Sequence, residues 1–430
     1  MPARSSNTEK EPRSLSEDSG PSAISANDRN TLRELASRVR EIAHNPIQEE
    51  RKQLWRKLNG LERCRIPILL HVHYLFIDEV VPESALVTTS HMAREYERQL
   101  RLQVWQWENV DDDWVTEPVL EYETAIGEPQ LLTPNKTQPE TDYLGAYHVE
   151  PVLKVDSDPD EIVIDAECYV DWDATKRNQE WAEEVFDGIL QPIRRGPHLQ
   201  ISPYDYVCEI RGMDKMCIDM AERPEWIEEV IRRVYRLHTD VAKQMEHEGA
   251  LTCNNQYNPI GTYTDELPAP GFDPSHVRLK DIWGFSVAQA SVCISPEMHE
   301  RFVTQFDREY LSLFGLAAAA CCEPVDKKMH LYRTIPNLRR ISVSMWNDFA
   351  KAAEGIGTDY IYSFRPTAIP ISQRTWNIEE DKKSLQKALE QSQGCRVDIY
   401  NCEITTCRGK PERLTEWARM AKRLAEQYSD

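Results

Sequence analysis

Residues 314–348 read FGLAAAACCEPVDKKMHLYRTIPNLRRISVSMWND, in the order strand, helix, strand. Residues 314–320 are a short apolar run of small side chains, as suits a strand buried on both faces. The run stops at Cys321-Cys322-Glu323-Pro324, where two soft ligands and a carboxylate sit at a strand end that faces a pocket in parallel α/β proteins. Residues 326–334 then read as a short helix, Pro336-Asn337 as a turn, and residues 341–344 as the next strand, which ends on Trp346 and Asp348. Such a unit builds a parallel sheet or barrel.

The same alternation extends in both directions. Upstream, strands are predicted at 66–72, 118–124, 161–168, 206–210 and 251–255, and helices at 82–107, at 175–190 and after Pro224. Ser295-Pro296-Glu297 specifies a helix start, with Met298, Phe302 and Phe306 on one face. Downstream come strands at 360–363 and 397–400 and helices at 379–391 and 411–428. Eight or nine strands, most separated by helices, predict an α/β fold of the eightfold (β/α)8 TIM-barrel kind. The alternative is a doubly wound open sheet. With only 16 Gly and no Gly-rich turn after any strand, however, a nucleotide cradle is not expected. Residues 1–27 read as a disordered tail, 28–62 as helices packed on the barrel, and 63–430 as the barrel itself.

Charge and cysteine usage narrow the function. A formal net charge of −21 argues against nucleic acid or an anionic membrane as partner, since both need clustered Lys and Arg. Eleven cysteines without a leader or a regular spacing read as reduced thiols of a cytoplasmic protein. No apolar run approaches the roughly 20 residues a spanning helix needs.

Several residues at predicted strand ends carry chemistry. His71 and His73 are two apart and share a face, a metal-ligand spacing, although one packed and one loop-capping His is the plainer reading. Asn255 ends the strand at 251–255 and is a candidate for substrate binding. The long polar stretch 127–151, with Tyr143, Tyr147 and His148, reads as a lid or as a plain surface excursion. Asp348 and Glu403 are candidate general acid/base groups, because a carboxylate near an apolar mouth has its pKa raised. Asp348 is equally placed to cap the helix that begins at Phe349. Arg365 reads as a clamp for a substrate anion or as a surface residue, and Trp283 and Trp346 as pocket walls or as packing.

Two segments are similar to a known family. Asp281-Ile282-Trp283-Gly284, followed by Ile294-Ser295-Pro296-Glu297-Met298 and Arg301-Phe302-Val303, resembles a signature of the uroporphyrinogen decarboxylase superfamily. Cys321-Cys322-Glu323-Pro324, with Ile335-Pro336-Asn337-Leu338-Arg339 and Ser342, resembles its Cys-Cys-Glu-Pro subgroup, which is similar to corrinoid-linked methyltransferases. The resemblance spans residues 45–426 and implies a (β/α)8 barrel. It also implies zinc, with Cys322 and Cys402 at the positions of the family's two metal-binding cysteines, and Cys321, Glu323, His71 or His73 as sources of a third ligand. The family's His position is held by Ala320. Two thiolates from different strand ends suit a catalytic zinc with one open position. The loop after the first strand, His73 to Glu79, has no Arg, which disfavours a polycarboxylate tetrapyrrole.

The expected activity is zinc-dependent methyl transfer on a small molecule or a corrinoid-borne methyl group. The alternatives are a decarboxylase or other lyase on a small metabolite, and a non-catalytic binding barrel. Cobalamin would arrive on a partner corrinoid protein, and a homodimer is compatible with the resemblance.

Overall fold

The computed structural model describes residues 24–72, 76–137, 148–155, 157–255, 261–402 and 404–429. Seven strands form one all-parallel sheet: β1 (Ile68–Leu70), β2 (Gln200–Ile201), β3 (Trp283–Ser286), β4 (Leu316–Ala319), β5 (Leu338–Ser344), β6 (Ile361–Arg365) and β7 (Arg396–Asn401). Their order is β1-β7-β6-β5-β4-β3-β2, so the first strand lies beside the last, with Ile68 opposite Ile399 and Leu70 opposite Asn401. Helical segments follow β3, β4, β5, β6 and β7, among them Phe349–Ile356, Ile378–Gln391 and Glu412–Tyr428.

The two faces of the sheet differ as strand periodicity requires. Ala317, Ile341, Val343, Tyr362, Phe364, Val397 and Ile399 pack in the main core with Phe302, Ala352, Leu385 and Trp417 of the covering helices. Residues of the opposite parity face inward. Leu69, Ile361 and Tyr400 meet Trp55 and Leu58 of the helix Ile47–Asn59, while Phe285 and Ala318 meet Val287 and Cys321.

The expected eightfold ring is not completed by an eighth strand among the described residues. Side chains take up backbone groups left without a ladder partner at β1 and at the start of β3. At β1, the Ile68 and Leu70 N–H groups donate to the carboxylates of Asp113 (2.9 Å) and Asp112 (3.1 Å). At β3, Asn254 brackets Trp283, accepting from its N–H (2.8 Å) and donating to its carbonyl (3.0 Å). Residues 251–255, predicted as a strand, thus reach β3 through one side chain rather than a backbone ladder.

Two more predicted strands fall elsewhere. Residues 206–210 belong to the helix Pro203–Arg211, because Tyr204, Val207, Cys208 and Arg211 bury one face at helical spacing after a Pro at the first turn. Residues 161–168 begin in the 3-10 turn Pro159–Ile162 and hold a three-residue strand, Val163–Asp165, that pairs antiparallel with Gln130–Leu131. The helix predicted from residue 82 starts at His91, where Ser90 Oγ accepts from Ala93 N. Val119–Glu123 pairs with Gln191–Arg195 outside the main sheet, in a second core where Leu32, Leu100, Leu120, Trp181 and Phe186 pack.

Candidate active site at the carboxyl ends of the strands

The inward face of β5, β6 and β7 is polar in two layers. In the amino-side layer Arg340 pairs with Asp398, which also accepts from Ser363 Oγ (2.7 Å), and Arg340 donates to Asn59 Oδ1 (3.0 Å). Arg340 and Asp398 are buried, so each neutralises a charge that would be costly alone.

The carboxyl-side layer is built around Arg365, only 5% exposed. Its Nε and Nη2 donate to Ser342 Oγ (3.2 and 3.0 Å), its Nη1 donates to Cys402 Sγ (3.1 Å), and the guanidinium lies 4.1 Å from the centre of the Tyr400 ring. Among the described residues no carboxylate is paired with it. Burial works against the charge on Arg365, but the neighbouring Cys402 and Cys321 thiols and Tyr400 outweigh burial and raise its pKa above the ordinary value. A buried guanidinium this close to a sulfur favours the thiolate, which is the nucleophilic form. His71 lies edge-on to Tyr400, with ring centroids 6.4 Å apart.

Cys321 and Cys322 follow β4 with their sulfurs 3.8 Å apart. Ala320 has φ +66° and is buried. A left-handed residue at the strand end reverses the pleat, which is how Cys321 joins Phe285 and Ala318 on the inner face.

Other predicted site residues have structural duties. Glu323 is 1% exposed and accepts from the N–H groups of Cys321 (2.9 Å) and Ala288 (3.3 Å), so it ties the ends of β3 and β4 together. Asn255 clamps its own loop through Thr264 N, Thr264 O and Leu267 O. Trp283 is buried against Leu267 and Leu316, as packing rather than as a pocket wall. Trp346, at the end of β5, is 63% exposed.

Asp348 caps the helix Phe349–Ile356 through Lys351 N, and that hydrogen bond holds its carboxyl below the usual carboxylate range. Of its two expected roles this is the cap, and a general acid needs the opposite shift. Glu403, His73, Tyr143 and Tyr147 lie outside the described residues, as does the side chain of His148.

The structure adds groups that the sequence reading missed. Ser342, Tyr400 and Asp398 are polar at alternate positions of otherwise apolar strands, which is the signal that marks a polar inner face. A second buried set lies where β3 and β4 end. Asp307 accepts from Tyr235 Oη (2.7 Å) and Ser286 Oγ (2.5 Å), and burial first, then Glu323 and Asp205, push its pKa up to about 7. Asp205, raised to about 6 by burial, accepts from Gln289 N and Ala290 N. Lys328, lowered to about 8 by burial, donates to Ser291 O (2.9 Å).

Of the expected zinc site, His73 and the neighbour of Cys402, Glu403, lie outside the described residues. Among the described residues no group of three or more His, Cys, Asp or Glu is placed to hold a metal ion. The Glu323 carboxylate is occupied by backbone N–H groups, and Cys402 already faces a buried cation. A dication bound to that sulfur would meet the Arg365 charge at close range.

Surface clefts of about 40 Å³ and 340 Å³ are lined by other residues, the first by Cys64, Ile66, Cys395 and Val397 at the amino ends of β1 and β7, the second by Trp376, Lys410 and Arg413. Neither touches Arg365 or Cys402. The strand ends remain the stronger candidate, because there a buried guanidinium donates directly to a thiol.

The fold and these side chains define a parallel α/β protein with a thiol–guanidinium site at the ends of its strands. No protein-family model matches the sequence, and no curated protein matches it. Among solved structures, a methyltransferase from Methanosarcina mazei is similar at 13% identity, over 86% of this chain and 97% of that one, with a TM-score of 0.48. At that identity and score the likeness assigns no chemistry to this chain.

Proposed function

We propose that this chain is an enzyme that transfers a small group, methyl in the first instance, with the Cys402 thiolate as the attacking atom. The observation that carries this reading is the hydrogen bond from buried Arg365 to Cys402 Sγ. The sulfur forms a bond to the methyl carbon as the bond from that carbon to its donor heteroatom breaks, and the leaving group takes the electron pair. A thiolate acceptor then attacks the same carbon, and the bond from that carbon to Cys402 Sγ breaks with its electron pair returning to the sulfur, which restores the thiolate. Arg365 holds the charge before transfer, Ser342 fixes its plane, and Tyr400 covers its face. The donor is a small methylated molecule or a corrinoid-borne methyl group on a partner chain. Zinc has no part in these steps.

A lyase reading would use Arg365 to hold a substrate carboxylate. Its three bonds to Ser342 and Cys402 leave two of the five guanidinium N–H groups for such a ligand.

The test is peptide mass spectrometry after incubation with S-, N- and O-methyl donors. A methyl group on Cys402, discharged by an added thiol and absent in Cys402→Ser, is expected. A folded protein that acquires no methyl at Cys402 from any donor, yet releases carbon dioxide from small carboxylic acids, would transfer the assignment to the lyase. One that does neither would leave a binding protein.

A further inference from the structure

Away from the strand-end thiols, four sulfur atoms converge from three elements. Cys208 lies on the helix Pro203–Arg211, Met213 and Cys217 lie one turn apart on the helix Met213–Glu222, and Cys293 ends the 3-10 turn Gln289–Cys293. Cys217 Sγ is 3.7 Å from Cys293 Sγ, Cys293 Sγ is 3.9 Å from Met213 Sδ, and Cys208 Sγ is 3.5 Å from Met213 Sδ. Gly212, with φ +87°, makes the sharp turn that brings Met213 back beside Cys208. Asp205 holds the third element in place by accepting from Gln289 N and Ala290 N.

We infer that Cys217, Cys293 and Met213 form a binding site for a soft, low-coordinate cation of the Cu(I) class, with Cys208 backing the thioether. Cys293 Sγ lies 3.7 Å from Cys217 Sγ and 3.9 Å from Met213 Sδ, spans that one ion with metal–sulfur bonds of about 2.3 Å can bridge. Two thiolates and a thioether select a soft ion over Mg²⁺ or Ca²⁺. The surroundings are acidic, since Asp214 lies near Cys217, and Asp205 and Glu209 near Cys208. Cys293 and Met213 are exposed, which gives the ion access from solvent.

The experiment is an anaerobic titration of the reduced full-length chain with Cu(I) against a chromogenic chelator. One tightly held Cu(I) per chain should be lost in the Cys217→Ser, Cys293→Ser double variant, and Met213→Leu should weaken it roughly tenfold. Binding elsewhere, by Cys321, Cys322 and Cys402, would be unchanged by these substitutions. Circular dichroism checks the fold, and if the double variant fails to fold, Met213→Leu and Cys217→Ser alone decide. Equal stoichiometry and affinity in the folded variants, or no Cu(I) held by the native chain, would overturn the site.

Discussion

Arg365 Nη1 donates to Cys402 Sγ at 3.1 Å inside the sheet, joining the last residue of β6 to the residue that follows β7. Its consequence is a thiol whose ionised form the guanidinium favours. Iodoacetamide labelling followed by peptide mapping reads this directly. Cys402 should react as thiolate at neutral pH. Arg365→Leu should slow the reaction at pH 7 roughly tenfold or more and move its pH profile upward, because the stabilised form has lost its counter-charge. An unchanged profile in a folded Arg365→Leu protein would remove the basis of the proposed nucleophile.

The inner ion pair makes a separate stability prediction. Asp398→Asn leaves Arg340 charged and buried without its partner, and should cost about 3–5 kcal/mol in urea denaturation. Arg340→Met with Asp398→Leu, which removes both charges, should recover much of that loss. A cost below about 1 kcal/mol for Asp398→Asn would mean that water reaches the pair.

Asp307 predicts a pH dependence. Its folded pKa of about 7 lies above the ordinary aspartate value because it is buried, so the folded state binds a proton that the unfolded chain has already released. The associated stability is complete below about pH 4 and is lost as pH rises through about 7. Asp307→Asn keeps the oxygen that accepts from Tyr235 and Ser286 but cannot ionise. Relative to native protein, the variant should therefore gain in Tm between pH 4 and pH 8. A difference that stays flat with pH would place the ionisation elsewhere.

Metal content tests the departure from the resemblance. Elemental analysis of protein prepared without chelator should show zinc well below one per chain, unaltered in a Cys322→Ala, Cys402→Ala variant. Near-stoichiometric zinc lost in that variant would restore the metal reading and displace the thiolate one.

Much of the fold could be read along the chain. From Ser295 onward, cap, Pro, apolar run and turn agree with one another; the strands predicted at 341–344 and 397–400 lie within β5 and β7, and that at 360–363 overlaps β6. Agreement weakens between residues 118 and 255. There the helix Pro203–Arg211 is rich in aromatic and β-branched residues, so its local preference points to strand while its burial follows helical spacing. Of the expected site residues, Cys402 and Arg365 meet in space, whereas Asp348, Asn255 and Trp283 serve a cap, a loop clamp and packing.

By itself the sequence determined the parallel α/β alternation, the cysteines at two strand ends and the exclusion of broad basic surfaces. These follow from periodicity, local caps and net charge, each of which is a property of neighbours in the chain. Only the tertiary structure decided that β1 lies beside β7, that carboxylates rather than an eighth strand satisfy its free edge, and that Cys402 faces a guanidinium. Those outcomes depend on which inward side chains from separate strands must neutralise one another once water is excluded, and spacing along a single strand does not carry that information.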